Sequence, residues 1–328
     1  MKRLFRRHEF YIALVTICLS LVIGSLNPAF FSLSNLFDLL KSSVVMGIFA
    51  LGVLVVLISG DIDISFTAIA ACSMYLANKI LLANHLTESL ALAFCVSGAI
   101  GLVLGLFNAF FISTYKLPAL IVTLGTASIF RGFMLAFIGT AVINTLPGSL
   151  IEFSKQMLFR RTLPSGEIIG LSLSFTILLI LAALTWAFLR YTLPGRGIYA
   201  IGGDAAAAER AGFNVRRIRF FIYGFVGVLA GIGGILHSSM MRNANPFDLV
   251  GTELTVIAAV VLGGASLTGG RGSVAGTLLA ILLIVVINNS LILLNIPVYW
   301  QRVAVGAIIL ISTAVSARRG ELSHAFRV

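Results

Sequence analysis

The sequence predicts an all-α fold, a polytopic membrane helix bundle of about ten transmembrane helices. Three observations carry this. Hydrophobic residues make up 59% of the 328-residue chain and charged residues only 11%, against about 45–50% and about 25% in ordinary globular domains. The mean hydropathy is +1.06. Apolar runs recur along the whole length, and the charges cluster between them.

A spanning helix needs about 20 mostly apolar residues. Ten runs meet or approach this: 10–26, 43–59, 66–83, 90–112, 119–139, 168–189, 218–237, 252–267, 274–294 and 298–316. The first follows Met1-Lys2-Arg3-Leu4-Phe5-Arg6-Arg7 and lacks a small-residue cleavage site, so it reads as an uncleaved span. Asn78 weakens the third and Gly263-Gly264 interrupts the eighth. Both read as candidates for broken or re-entrant helices, which lipid tolerates only against protein or a wet cavity. Residues 1–328 form one transmembrane domain in this reading.

Positive charge orients the set. With the N-terminus inside, the inner segments 1–9, 60–65, 113–118, 190–217, 268–273 and 317–328, with Arg219 at the membrane edge, hold 15 Lys and Arg. The outer segments hold 7, and Arg131 lies within a span. The excess predicts both termini in the cytoplasm. The net charge of +11 belongs to this bias, and nucleic-acid binding is excluded. Cys18, Cys72 and Cys95 lie inside apolar runs, with no disulfide framework or CxxC pair.

Gly101/Gly105, Gly227/Gly231 and Gly272/Gly276 form Gly-x-x-x-Gly pairs. Such pairs let helix backbones approach closely, and packing within the bundle is the expected use. Val55-Val56-Leu57-Ile58-Ser59-Gly60 faintly echoes Val260-Val261-Leu262-Gly263-Gly264-Ala265, as an internal repeat would.

A charge at the middle of a spanning helix costs about 2.5–3.5 kcal/mol, so such groups face a bundle interior or a polar route. Asp61 and Asp63 end the second span, Arg131 lies within the fifth, and Glu253 opens the eighth. They are expected to line a translocation pathway or mark a helix break. Capping of the third helix is the first duty expected of the two aspartates. Arg131 is expected to pair with a carboxylate or backbone carbonyls, Asp61 or Asp63 being the candidates.

No catalytic set is evident. His8, His85, His237 and His324 lack ligand spacing, and neither G-x-S-x-G nor a phosphate-binding G-x-x-x-x-G-K-[ST] occurs. The chain is not expected to be an enzyme, to hold a metal or cofactor, or to hydrolyse ATP itself. The cytoplasmic stretch at about 190–217 reads as a Pro/Gly-punctuated loop. It carries a helix of about seven residues, N-capped by Asp204, helical through its alanines and stopped by Gly212. A helix so short needs a partner surface. Attraction of its basic edge to lipid headgroups is the other reading.

These features together resemble the ribose/xylose/autoinducer-2 type permeases of bacterial ABC importers. Ser59-Gly60-Asp61-Ile62-Asp63-Ile64-Ser65, the segments Pro118–Gly132, Gly195–Gly212 and Ala258–Ser273, and Asn288-Asn289 through Tyr299-Trp300-Gln301 carry the likeness. The resemblance implies a multi-pass permease of the bacterial inner membrane, importing a monosaccharide or related small polar solute. Its implied partners are a cytoplasmic ABC ATPase, which uses the ATP, a second permease subunit and a periplasmic solute-binding protein. Gly195, Arg196, Gly203, Asp204, Ala207, Ala208, Glu209 and Gly212 fall on the ATPase-coupling segment. Two departures stand out: Ser65-Phe66-Thr67, where Phe66 would narrow the path, and Asp204-Ala205-Ala206-Ala207-Ala208 in place of a more acidic run. The alternative is an ion-coupled secondary transporter using Asp61, Asp63 and Arg131.

Overall fold

The computed structural model describes residues 8–162, 166, 168–297, 299–300, 303 and 306–307. Among these, eight helices are long and apolar enough to cross a membrane: α1 (His8–Leu26), α2 (Leu33–Ile58), α3 (Phe66–Ala83), α4 (Leu90–Thr114), α5 (Ala119–Phe133, extended by a π turn to Ile138), α7 (Ser174–Tyr191), α10 (Val215–Met241) and α12 (Val274–Leu293). The others are α6 (Gly148–Lys155), α8 (Leu193–Gly203), α9 (Ala205–Arg210) and α11 (Glu253–Leu262), with one antiparallel hairpin, β1 (Met157–Thr162) and β2 (Ile168–Ser172).

The expected third span matches α3 in both bounds, and α1, α4, α5 and α12 agree within two residues. The tenth, 298–316, lies largely outside the described residues. Four expectations change. The seventh span lengthens from 218–237 to Val215–Met241, Asn214 capping it by accepting from the Arg217 amide. The second span starts ten residues early, because Ser32 accepts a hydrogen bond from the Asn35 amide and caps α2 ahead of the apolar run. The start of the sixth is strand, not helix: Ile168-Ile169-Gly170-Leu171-Ser172 pairs with β1, and the helix begins at Ser174. The eighth shrinks to ten residues, about 15 Å of helix or half a hydrocarbon core.

α2, α3 and α10 form the centre. From Ser43 to Ile58 nearly every residue of α2 is buried. A helix apolar all round belongs there. α10 crosses α4 at backbone contact. A Cβ on Gly101 would stand 2.1 Å from the Gly227 carbonyl oxygen, and one on Gly231 would stand 2.3 Å from that of Ser97. The Ser97 hydroxyl donates to the Gly231 carbonyl at 2.7 Å. Gly276 meets Gly263 in the same way, at 2.1 Å. All three glycine pairs therefore pack inside the bundle.

The internal echo has a structural counterpart, offset by one residue. α2 ends with Gly60 donating to Leu57 and Asp61 to Val56, while α11 ends with Gly264 donating to Val261 and Ala265 to Val260. Gly60 and Gly264 take φ of +85° and +97°. Both helices thus stop in the same glycine-dependent C-terminal cap.

Candidate translocation and coupling site

Between α2 and α3 the chain runs without helix from Ser59 to Ser65. Extended backbone among spanning helices must find partners in protein, and here it finds them on three helices, α4, α5 and α10. The Asp61 carboxylate lies 3.5 Å from Arg219 and accepts from the Tyr223 hydroxyl at 3.2 Å, both on α10. The Ile64 amide donates to the Thr123 hydroxyl of α5 at 3.3 Å. Asp63 Oδ1 accepts from the Ser65 amide and hydroxyl, each at 2.6 Å, and Asn108 of α4 donates to the Ser65 hydroxyl at 2.7 Å. Asp63 Oδ2 and Asn108 Oδ1 are buried without a donor among the described residues; bound water satisfies such groups in protein interiors.

This geometry divides the two aspartates. Asp63 turns the chain into α3 from two residues before the Ser65 N-cap, whose own side chain makes no capping bond. Asp61 does not cap α3 and instead ties the break to α10.

The next polar group sits one turn further on. Glu253, the first residue of α11, accepts from the Thr67 hydroxyl at 2.5 Å and pairs with Arg131, which also donates to Thr67 at 2.9 Å. Glu253 is therefore the carboxylate partner of Arg131, in place of Asp61 or Asp63. The short α11 explains why: it starts deep in the bundle, where its first-turn carboxylate meets the start of α3. Glu253 is nearly buried and Arg131 is part exposed, at 9% and 29% of their side-chain areas. Arg131 borders the open face of α5, where Ile121, Leu124, Gly125, Ser128, Ile129, Gly132 and Phe133 are exposed. Phe66 does not share that opening; it is buried against Phe49, with ring centroids 5.6 Å apart.

Thr67, Asn108, Thr123, Arg219 and Tyr223 complete these clusters, and none of them is among the site residues expected from the sequence. Asn108 had a visible signal, a lone amide inside an apolar run. Tyr223 and Thr67 had none, because both residue types are ordinary in spanning helices.

At the other end of this region, 193–203 is helical rather than loop. Thr192 caps α8 by accepting from the Gly195 amide at 3.1 Å, and Pro194 lies in the first turn, where no N–H is missed. Gly195, Gly197 and Gly202 serve contact, not breakage: a Cβ on Gly195 would stand 2.3 Å from the Phe188 carbonyl oxygen. α9 follows as expected. Asp204 accepts from the Ala207 amide at 2.9 Å, which holds its carboxyl below the ordinary range. Gly212, at φ +91°, donates to Glu209, and Phe213 donates to Ala208. Ala208 is buried, whereas Ala206, Ala207, Glu209 and Arg210 are exposed. Gly203 and Gly212 border open space.

No solved structure matches the chain. Among curated proteins it is similar to the ribose import permease protein RbsC of Haemophilus influenzae, 33% identical over 92% of this chain and 90% of that protein. It is similar to the autoinducer 2 import system permease protein LsrC of Enterobacter, 31% identical over 94% and 87%. It is likewise similar to the L-arabinose ABC transporter permease protein AraH of Azospirillum brasilense, 32% identical over 92% and 85%. With residues 35–313 matching the family model described as branched-chain amino acid transport system / permease component, the chain belongs to that family of permeases.

Proposed function

We propose that this permease is the membrane subunit of an ATP-driven importer of a monosaccharide or related small polar solute. It works with a cytoplasmic ATPase, a second permease subunit and a periplasmic binding protein, in a bacterial inner membrane with both termini cytoplasmic. The observation that carries this reading is α9. It is a six-residue helix capped at both ends, too short to persist alone, and it presents an exposed face with a single buried residue. A protruding capped helix of this kind suits docking by a partner that supplies mechanical work.

The solute passes beside the open face of α5, next to Arg131, in this reading. Asp61, Asp63, Ser65 and Glu253 hold the broken helices that border the route. Few polar groups are needed there, because a separate binding protein selects the solute. The relatives named for ribose and arabinose favour a sugar.

Reconstitution tests this. Vesicles holding the chain with its ATPase and binding protein should take up labelled ribose or arabinose only with ATP, and an uncoupler should leave uptake unchanged. Uptake driven by an ion gradient without ATP refutes the reading. Uptake of leucine in preference to either sugar refutes the substrate class.

A further inference from the structure

Three glycine-bearing segments meet by backbone contact beside α8. A Cβ on Gly202, in the last turn of α8, would lie 1.9 Å from the Ile58 carbonyl oxygen of α2 and 2.5 Å from the Gly270 nitrogen. One on Gly269 would lie 2.7 Å from Gly202 Cα and 2.8 Å from Gly60 Cα. The Gly270 amide donates to the Ile58 carbonyl at 2.8 Å, satisfying an acceptor at the end of α2. The Tyr199 hydroxyl of α8 donates to the Gly272 carbonyl at 3.1 Å.

Gly60, Gly269 and Gly270 have φ of +85°, +85° and +73°, so glycine is required there for conformation. Gly202 is not in the left-handed region. Glycine is needed at Gly202 for space alone.

We propose that Gly202 is the positioning residue of a transmission joint that keys α8–α9 at once to the end of α2 and to the α11–α12 turn. The inference rests on the proposed function, in which the ATPase acts on α9. Displacement of α8 is then shared by two neighbours. Through Ile58 and Gly60 it reaches the break carrying Asp61, which is tied to Arg219 and Tyr223. Through Gly269 and Gly270 it reaches the turn that ends α11, whose first residue holds Arg131. A contact made through side chains absorbs small movements by changing rotamer. Backbone packed on backbone has no such slack and transmits them.

The test uses the complete complex in lipid nanodiscs, with the native cysteines replaced by alanine. Spin labels go on Leu193→Cys, exposed on α8, with Ser266→Cys, and in a second preparation on Leu193→Cys with Tyr115→Cys. On vanadate trapping with Mg-ATP, the 193–266 separation should hold within about 2 Å while the 193–115 separation changes by more than that. G202A should still co-purify with the ATPase but lose ATP-driven ribose uptake by about tenfold or more. A 193–266 change as large as the 193–115 change overturns the joint, as does G202A uptake within about twofold of native. If G202A does not insert, the two distance measurements decide alone. If nucleotide moves neither pair, the ATPase-driven reading fails and the joint fails with it; a moving 193–115 pair with a loose 193–266 pair refutes only the joint.

Discussion

Replacing Glu253 by glutamine leaves Arg131 in place with its charge uncompensated. The pair joins the first residue of α11 to the last turn of α5, with Thr67 of α3 bonded to both. Removing one partner of a fully buried pair costs about 3–5 kcal/mol. Arg131 is 29% exposed, so water screens part of that charge, and glutamine can still accept from Thr67. A loss of about 2 kcal/mol follows, or about a thirtyfold shift in the folded population. The assay is a double-mutant cycle of E253Q, R131Q and the double variant, with unfolding measured in mixed micelles. The double variant should recover most of the loss, giving a coupling energy of about 1.5 kcal/mol. Additivity within about 0.5 kcal/mol would refute the pairing. The swap E253R/R131E should likewise transport better than either single reversal; a swap no better than its worse parent counts against it.

Further outcomes follow from neighbouring contacts. G227A puts a methyl 2.1 Å from the Gly101 carbonyl oxygen, so α4 and α10 must part, at a cost of about 1–3 kcal/mol in the same unfolding assay; stability equal to native would show that the crossing is loose. S65A removes the hydroxyl shared by Asp63 and Asn108 and should cost about 1–3 kcal/mol through the unmet buried groups, against no change if water replaces it freely. D204A should weaken ATPase co-purification, while D204N, an equally good cap, keeps it; equal loss in both would point to charge rather than capping. The Asp204 carboxyl sits below its usual 3.8 in the folded chain. Its contribution is therefore full above that value and disappears only as pH falls through the lowered one. Docking of the native chain should stay flat across neutral pH, and a midpoint near neutrality would rule out Asp204 as the responsible group.

The spans were legible because a bilayer imposes length and apolarity directly on sequence. α12 needed nothing more, whereas Asn78 made the third run read as breakable although α3 is one continuous helix, the Asn78 amide being met by the Met74 carbonyl and the Ser238 hydroxyl. α9 was equally plain, since Asp204, four alanines and Gly212 each act within one turn of their neighbours. What escaped was set by distant contacts. Gly195, Gly197 and Gly202 read as loop punctuation, yet they let α8 lie against α7, α10 and α2. Ile168-Ile169 read as the start of a helix until β1 was there to pair with it. Arg131 was visibly a charge within a span, but its partner lies 122 residues along the chain, and the candidates Asp61 and Asp63 were nearer in sequence. The Arg131–Glu253 pair depends on a separation that local patterning does not encode.

Placement of α9 is the most direct measurement. In a chain with Cys18, Cys72 and Cys95 replaced by alanine, Ala206→Cys should resist a membrane-impermeant maleimide in intact spheroplasts. It should label once the membrane is opened, and lose that labelling when the ATPase is bound. Labelling in intact spheroplasts would put α9 on the outer face, where no ATPase reaches it.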